Sequence, residues 1–289
     1  MKKILVAVSG GVDSVVLLDF LAKNVPCENL IVAHFEHGIR GQESLRDLEF
    51  VRNLAEKYGV KFEFAHGNLG ENASEEQART ARYDFLRNLA EKFDADIFTA
   101  HHGDDLIETI LINFRRGTGW RGLACLNSKG VVRPFLRFRK AEILEYARRK
   151  NLDWCEDSTN LSEKYLRNRI RRENLARDFE FDKILYLWQK QVEISQKIDG
   201  EVSKILDEIS QIQSGKVKFS RYFFSQIDEK SASEILRKII IENCQKTPTR
   251  QQILDFWLKI KTLPSGKTAQ IVGGAKVKFS KRDFWFNID

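Results

Sequence analysis

Residues able to do chemistry gather in clusters along the first two thirds of the chain. Ser9-Gly10-Gly11-Val12-Asp13-Ser14 combines hydroxyls, glycines and a carboxylate in six positions. Glycine reaches positive φ and lets a ligand approach the main chain. The hydroxyls and backbone N–H groups can donate to an anion, and Asp13 can hold a magnesium ion, Mg2+. A second cluster is His101-His102-Gly103-Asp104-Asp105, with Glu108 three residues beyond Asp105, so that two carboxylates share one helix face. Imidazole titrates near neutrality and can move a proton, and carboxylates can grip an amine. Arginine-rich stretches follow: Arg115-Arg116-Gly117-Thr118-Gly119-Trp120-Arg121-Gly122, then 133–140, then Arg167-Asn168-Arg169-Ile170-Arg171-Arg172. Arginine forks suit phosphates and tryptophan can stack on a base. Arginines 167, 169, 171 and 172 cannot all lie on one helix face, so a poly-anion such as RNA explains them better than solvent does.

The elements around these residues must hold them together. Residues 3–8 form a short apolar run rich in β-branched side chains, and 15–22 read as a helix. The segment 9–14 is then a strand–glycine–helix turn, a phosphate cradle at the positive end of a helix dipole. It lacks the lysine of the Walker loop, G-x-x-x-x-G-K-[ST]. Residues 30–35, 60–64 and 96–100 read as further strands, and 43–58, 73–93 and 104–115 as helices. The helix over 73–93 opens with a capping box, Ser74-Glu75-Glu76-Gln77. Such alternation predicts an α/β fold, a Rossmann-like parallel sheet with helices on both faces that binds ligands beyond the carboxyl ends of its strands. Ser9, His34 and His101 stand at those ends.

Past residue 139 the alternation stops. Residues 140–150 and 165–179 read as helices, and 185–212 as one long helix ahead of a polar break over 211–216. Short strands at 217–219, 270–272, 276–279 and 284–286, helices at 231–243 and 249–261, and a Gly273-Gly274 hairpin turn make the remainder an α+β unit. The expected organisation is a catalytic domain over 1–184, a long linker helix over 185–215 and a small α+β C-terminal domain over 216–289 that contacts RNA.

The chain of 289 residues is 42% hydrophobic and 31% charged, which indicates a globular protein and excludes a disordered one. No stretch is apolar enough to span a bilayer, and a cleavable leader would remove the cradle, so the expected location is cytoplasmic and away from membranes. Cys27, Cys125, Cys155 and Cys244 form no CxxC pair, which argues against zinc and iron–sulfur sites. The net charge of +7 is modest.

The S-G-G-x-D-S form resembles the pyrophosphate loop of the PP-loop ATP pyrophosphatases. A longer ordered set resembles the tRNA(Ile)-lysidine synthetase family in particular. It comprises residues 9–14; His34-Phe35-Glu36-His37-Gly38-Ile39-Arg40; Glu76-Gln77-Ala78-Arg79 through Arg82-Tyr83; 99–105 through Glu108-Thr109; Arg116-Gly117-Thr118-Gly119; Arg133-Pro134; and Asp157-Ser158-Thr159-Asn160 through Arg167-Asn168 and Arg171. Glu36 stands where that family more often has Asp or Asn, and Ile39 where Leu is usual.

This resemblance implies ATP-dependent ligation of L-lysine to the wobble cytidine of tRNA(Ile) with a CAU anticodon. Cytosine O2 is first adenylated with release of pyrophosphate, and the lysine amine then displaces AMP. Ser9, Gly10, Gly11, Val12, Asp13 and Ser14 would bind ATP, with His34 and Phe35 lining the adenine pocket and Asp13 holding Mg2+. Asp13, His101, His102 and Arg116 are the implied catalytic residues, Asp105 and Glu108 the lysine site, and Arg167, Asn168 and Arg171 the tRNA contacts. The resemblance leaves a homodimer open. The competing reading nearest to it is a PP-loop tRNA thiolase; an amidating ligase and a non-catalytic RNA-binding protein are more distant.

Overall fold

The computed structural model describes residues 2–36, 38, 42–67, 70, 74–155, 180–213 and 215–287. It divides into Met1–Val192 and Glu193–Asp289.

The first unit is built on a sheet of order β3-β2-β1-β4-β5. The strands are β1 (Lys3–Ala7), β2 (Leu30–Glu36), β3 (Lys61–His66), β4 (Ala95–Phe98) and β5 (Val131–Val132), and every pairing is parallel. Between them run α1 (Val12–Asn24), α2 (Gln42–Lys57), α3 (Glu75–Phe93) and α4 (Gly103–Arg115), followed by α5 (Lys140–Arg149). Strand alternation sends side chains to two apolar layers. Val6, Val8 and Val32 pack with α1, α2 and α5 through Leu17, Val51 and Ile143. Leu5, Ile31 and Ile97 pack on the other face against Leu86 and Leu89 of α3. The predicted capping box holds, since Ser74 Oγ accepts from Gln77 N–H and Gln77 Oε1 accepts from Ser74 N–H. Helix α3 accordingly begins at Glu75, two residues later than periodicity predicts.

One buried polar group ties α1 to α5 and to the residue that follows α2. Asp19 of α1 is 2% exposed and accepts from Tyr58 Oη at 2.7 Å, Tyr146 Oη at 2.8 Å and Lys23 Nζ at 2.7 Å. Burial works to raise its pKa, but these donors outweigh it and hold the carboxyl below the usual range.

Strand order reverses at β1. The chain leaves β1 through α1 toward β2 and β3, then returns to the other side of β1 as β4. The turn after β1 and the turn after β4 therefore meet at a topological switch point, where sheets of this kind bind ligands.

The second unit is an antiparallel sheet, β6-β7-β10-β9-β8, formed by Gln211–Gln213, Lys216–Ser220, Thr268–Gln270 (β8), Lys276–Phe279 (β9) and Asp283–Asn287 (β10). Helix α6 (Phe181–Ile209) crosses the boundary between units, and α7 (Arg221–Gln226), α8 (Glu229–Cys244) and α9 (Arg250–Thr262) follow it. Phe219, Phe279, Phe284 and Phe286 from the sheet close a core with Ile235, Ile239 and Phe256 from the helices. The linker helix read over 185–215 starts four residues earlier and closes at Ile209. Residues 211–213, read as part of a polar break, are instead the edge strand β6 paired with β7. The helix expected over 165–179 lies outside the described residues.

Candidate functional site

The glycine cradle forms as its composition requires. Gly10 sits at φ +95°, a conformation other residues rarely hold. Its carbonyl accepts from Cys155 N–H at 2.9 Å, and a Cβ there would lie 3.4 Å from Cys155 Sγ and 3.6 Å from Phe50 and Val51. Gly11 is the N-cap of α1 and brings no side chain over its first turn. Ser14 Oγ donates to Gly11 O at 2.8 Å and accepts from Ser9 N–H at 3.2 Å, with the two serine hydroxyls 3.3 Å apart. The loop is thus laced shut by its own serines around the positive end of a helix.

Asp13 projects from the first turn of α1 into a cluster that sequence reading assembles only in part. Lys140 Nζ lies 2.6 Å and 2.7 Å from its two carboxylate oxygens, across 127 residues of chain. His102, N-cap of α4 and 4% exposed, stands among three carboxylates. Its Nε2 is 3.9 Å from Asp13 and 3.5 Å from Asp105, and its Nδ1 is 3.7 Å from Asp104. A second capping box fixes the ring: Asp105 Oδ2 accepts from His102 N–H, and His102 Nδ1 accepts from Asp105 N–H at 3.4 Å. That bond assigns the ring proton of the neutral form to Nε2.

Asp104 ties this turn to α5. Its Oδ1 accepts from Arg139 Nε at 3.0 Å and from Arg139 Nη2 at 2.7 Å, and its Oδ2 accepts from Lys140 N–H at 2.7 Å. Burial opposes ionisation there, but the guanidinium and the amide prevail and keep the carboxyl below its ordinary pKa. Consecutive residues Arg139 and Lys140 therefore clip the turns after β1 and β4 to one helix start. Gly103 has no room for a side chain, because a Cβ would fall 2.4 Å from the Phe181 ring and 2.9 Å from Phe138 O.

The remaining predicted residues fall into groups. Glu108 is buried, 3% exposed, one turn after Asp105 on α4. His101 hydrogen-bonds Thr99 Oγ1 at 2.9 Å, and burial, aided by Arg133, Arg82 and Arg79, pushes its pKa down to about 3 despite Asp105. It stays unprotonated at physiological pH, and a base so weak does not suit the proton-accepting role expected of it. His34 is buried and donates from Nδ1 to Val8 O at 2.8 Å; burial lowers its pKa. Its ring braces the strand beneath the cradle. Phe35 is half-buried against Phe85, with Gly67 close over it. Arg116 is exposed at the far end of α4, about 20 Å of helix from His102, so it is not brought into the cluster. Arg167, Asn168 and Arg171, like Asp157 to Asn160, lie outside the described residues.

Sequence reading missed Lys140 as a partner of Asp13, and it missed the role of Glu36. That side chain accepts from Gly38 N–H at 2.6 Å and pairs with His66 at 3.0 Å, tying Gly38 and the end of β3 to the end of β2. Its pKa is lowered by these contacts against the effect of burial. Lys140 lies in the quoted basic stretch 133–140, but nothing local pairs it with residue 13. Among the described residues no group of three His, Cys, Asp or Glu side chains is arranged to hold a metal ion. Asp13 fits the sparser demand of magnesium, which takes one or two carboxylates together with substrate phosphates. No described helix is long and apolar enough to cross a membrane.

A parallel sheet with a glycine cradle at its switch point, its loop without a Walker lysine and facing a histidine–carboxylate turn, defines a phosphate-binding α/β domain of the PP-loop class. The model of the PP-loop domain family matches residues 1–177, and the chain belongs to that family. It is similar to a tRNA(Ile)-lysidine synthase of Solibacter usitatus, 40% identical over 173 residues, covering 58% of this chain and 39% of that protein. A tRNA(Ile)-lysidine synthase of Rickettsia bellii is 35% identical over 240 residues, 79% of this chain and 54% of the relative. The chain thus spans about half the length, or less, of these curated relatives. Among solved structures, the U34-tRNA thiolase NcsA from Methanococcus maripaludis with its [4Fe-4S] cluster has a TM-score of 0.57 at 21% identity, covering 66% of this chain and 73% of that one, a likeness of fold.

Proposed function

We propose that the chain carries tRNA(Ile)-lysidine synthetase activity: it joins L-lysine to the wobble cytidine of a CAU anticodon, releasing AMP and pyrophosphate and changing codon reading from AUG to AUA. The reading rests above all on one observation: a phosphate cradle whose loop carries no Walker lysine meets a buried histidine–carboxylate cluster at the switch point. The names of the relatives support it.

ATP lies with its β and γ phosphates on the amides of residues 9–14 and the hydroxyls of Ser9 and Ser14. Lys140 leaves Asp13 for the phosphates and, with the α1 N-terminus, stabilises the charge that grows on departing pyrophosphate. Asp13 would then hold Mg2+ beside the phosphate oxygens, and the ion would supply Lewis-acid stabilisation. Phe35 borders the adenine, while His34 keeps the strand end in place. Asp105 and Glu108 bind the ammonium groups of lysine. The proton of the attacking amine passes to a carboxylate of this cluster; His102 holds those carboxylates in place, and His101, held neutral, serves by hydrogen bonding. Arg116, Arg167, Asn168 and Arg171 meet RNA phosphates, which the anticodon loop presents when its wobble base is splayed out. Such an enzyme works in the cytoplasm, where its tRNA is.

The test is mass analysis of the wobble nucleoside after incubation with ATP, lysine and the tRNA transcript. Cytidine heavier by one lysine less one water supports the reading. Unchanged cytidine, or a sulfur-bearing nucleoside formed with a sulfur donor, refutes it.

A further inference from the structure

The basic residues are distributed unevenly along the chain. From residue 216 onward it carries 15 Lys and Arg against 7 Asp and Glu, a net +8, whereas the entire chain is +7. The catalytic part is close to neutral, and the excess belongs to the last quarter. Asymmetry of this kind marks a part that meets a poly-anion.

The register of the second sheet shows where the charge goes. Phe219, Val277, Phe279, Phe284 and Phe286 face the helices and are buried. The alternate positions face the other way. Lys218 and Lys278 pair across β10 on either side of Trp285, and Thr268 and Gln211 extend that row to the sheet edges. Lys216 and Lys276 stand two residues along β7 and β9, about 7 Å further on. Lys216, Lys276 and Lys278 are exposed, and Trp285 is half-exposed with Lys278 Nζ 6.0 Å from its ring centre. The one acidic side chain described on this face is Asp283, 3.8 Å from Lys218. Lys281 and Arg282, in the turn that enters β10, are exposed beside it.

We propose that this face, with Lys216, Lys218, Lys276 and Lys278 around Trp285, is an RNA-binding surface. The lysines neutralise backbone phosphates and Trp285 stacks on an unpaired base. The charge is complementary to a phosphodiester chain, and an aromatic ring among lysines on an open sheet suits stacked bases. The inference rests on the functional reading above for its substrate, a tRNA, and adds the surface that grips it.

The test uses the full chain. Lys216, Lys218, Lys276 and Lys278 are changed together to Gln, and binding of a fluorescent tRNA transcript with a CAU anticodon is followed over a salt series. The expected result is a loss of roughly tenfold or more in affinity and a log–log salt slope shallower by about 3. Trp285→Ala weakens binding and Trp285→Phe restores most of it. A control variant, Lys230→Gln with Arg250→Gln, Lys259→Gln and Lys261→Gln on the helices, removes the same charge and has a smaller effect. The proposal is overturned if affinity and slope are unchanged, if the control variant loses as much, or if the sheet-face variant loses binding only to phosphatidylserine vesicles. Lysidine formation at saturating transcript separates the two claims. Tight binding that depends on the face but yields no lysidine sinks the activity alone, and normal lysidine with face-independent binding sinks the surface alone.

Discussion

Lys140→Met is the most informative single change to the cradle. The Lys140 ammonium is held by both oxygens of Asp13, and the two side chains are 36% and 31% exposed. A pair so accessible is screened, so its loss should cost at most about 1 kcal/mol of stability. For a domain of this size that lowers Tm by roughly 2–4 °C. The effect on nucleotide should be larger. A charge-assisted hydrogen bond from lysine to phosphate contributes about 1.5–3 kcal/mol. Subtracting the Asp13 contact that Lys140 gives up leaves about 0.5–2 kcal/mol, or roughly two- to thirtyfold weaker ATP binding. Calorimetric titration with a non-hydrolysable ATP analogue, beside a thermal melt, reads both quantities, and Lys140→Arg should recover part of the affinity. If Lys140→Met binds the analogue as the parent does, Lys140 does not reach the phosphates. If it binds more tightly, the lysine obstructs Asp13 and the argument is reversed.

Other expectations follow from the same geometry. Asp19→Ala strands the hydroxyls of Tyr58 and Tyr146 and should cost about 3–5 kcal/mol in denaturant unfolding. Because the folded pKa of Asp19 is depressed, its contribution is complete above the ordinary carboxylate pKa of about 3.9 and is lost as pH falls through the lower folded value. The stability gap between parent and Asp19→Asn should therefore close below about pH 4; a gap independent of pH contradicts the assignment. His101, with a pKa pushed to about 3, stays uncharged through the working range, so His101→Asn should lower the rate without changing the pH profile between about 5.5 and 8. An acid limb that disappears in this variant would show that His101 titrates. Gly10→Ala forces a side chain into φ +95° against Cys155, at about 1–2 kcal/mol for the backbone alone, and should abolish nucleotide binding while the melt falls by only a few degrees. Full nucleotide affinity in that variant would show that the loop tolerates a Cβ.

Much of the first unit is legible in its sequence because the signals are local. Apolar strands, helix periodicity and the Ser74–Gln77 box each act within a few residues and recur in the structure. The parallel sheet follows from their alternation, and the sheet brings residues 9–14 to residues 101–105. Contacts set by tertiary packing are not legible. Lys140 on Asp13 and Tyr146 on Asp19 each span 127 residues, and no spacing rule reports them. Strand β5 is two residues long and β6 is an exposed edge of three, too short for a period to register. His101 misleads for a different reason: its type suggests a proton carrier, but burial and neighbouring arginines, both products of the fold, remove the charge. Arg116 is catalytic only by the implication of a resemblance, and the length of α4 sets it about 20 Å of helix from His102.

The central claim is that the Ser9 to Ser14 loop parts ATP between its α and β phosphates so that a nucleobase can be activated. Reaction with ATP radiolabelled at the α phosphate, in the presence of lysine and the CAU transcript, tests it directly. The account predicts labelled AMP in step with unlabelled pyrophosphate, dependent on the transcript and lost in Asp13→Ala. Labelled ADP, or AMP formed equally without RNA, would contradict it.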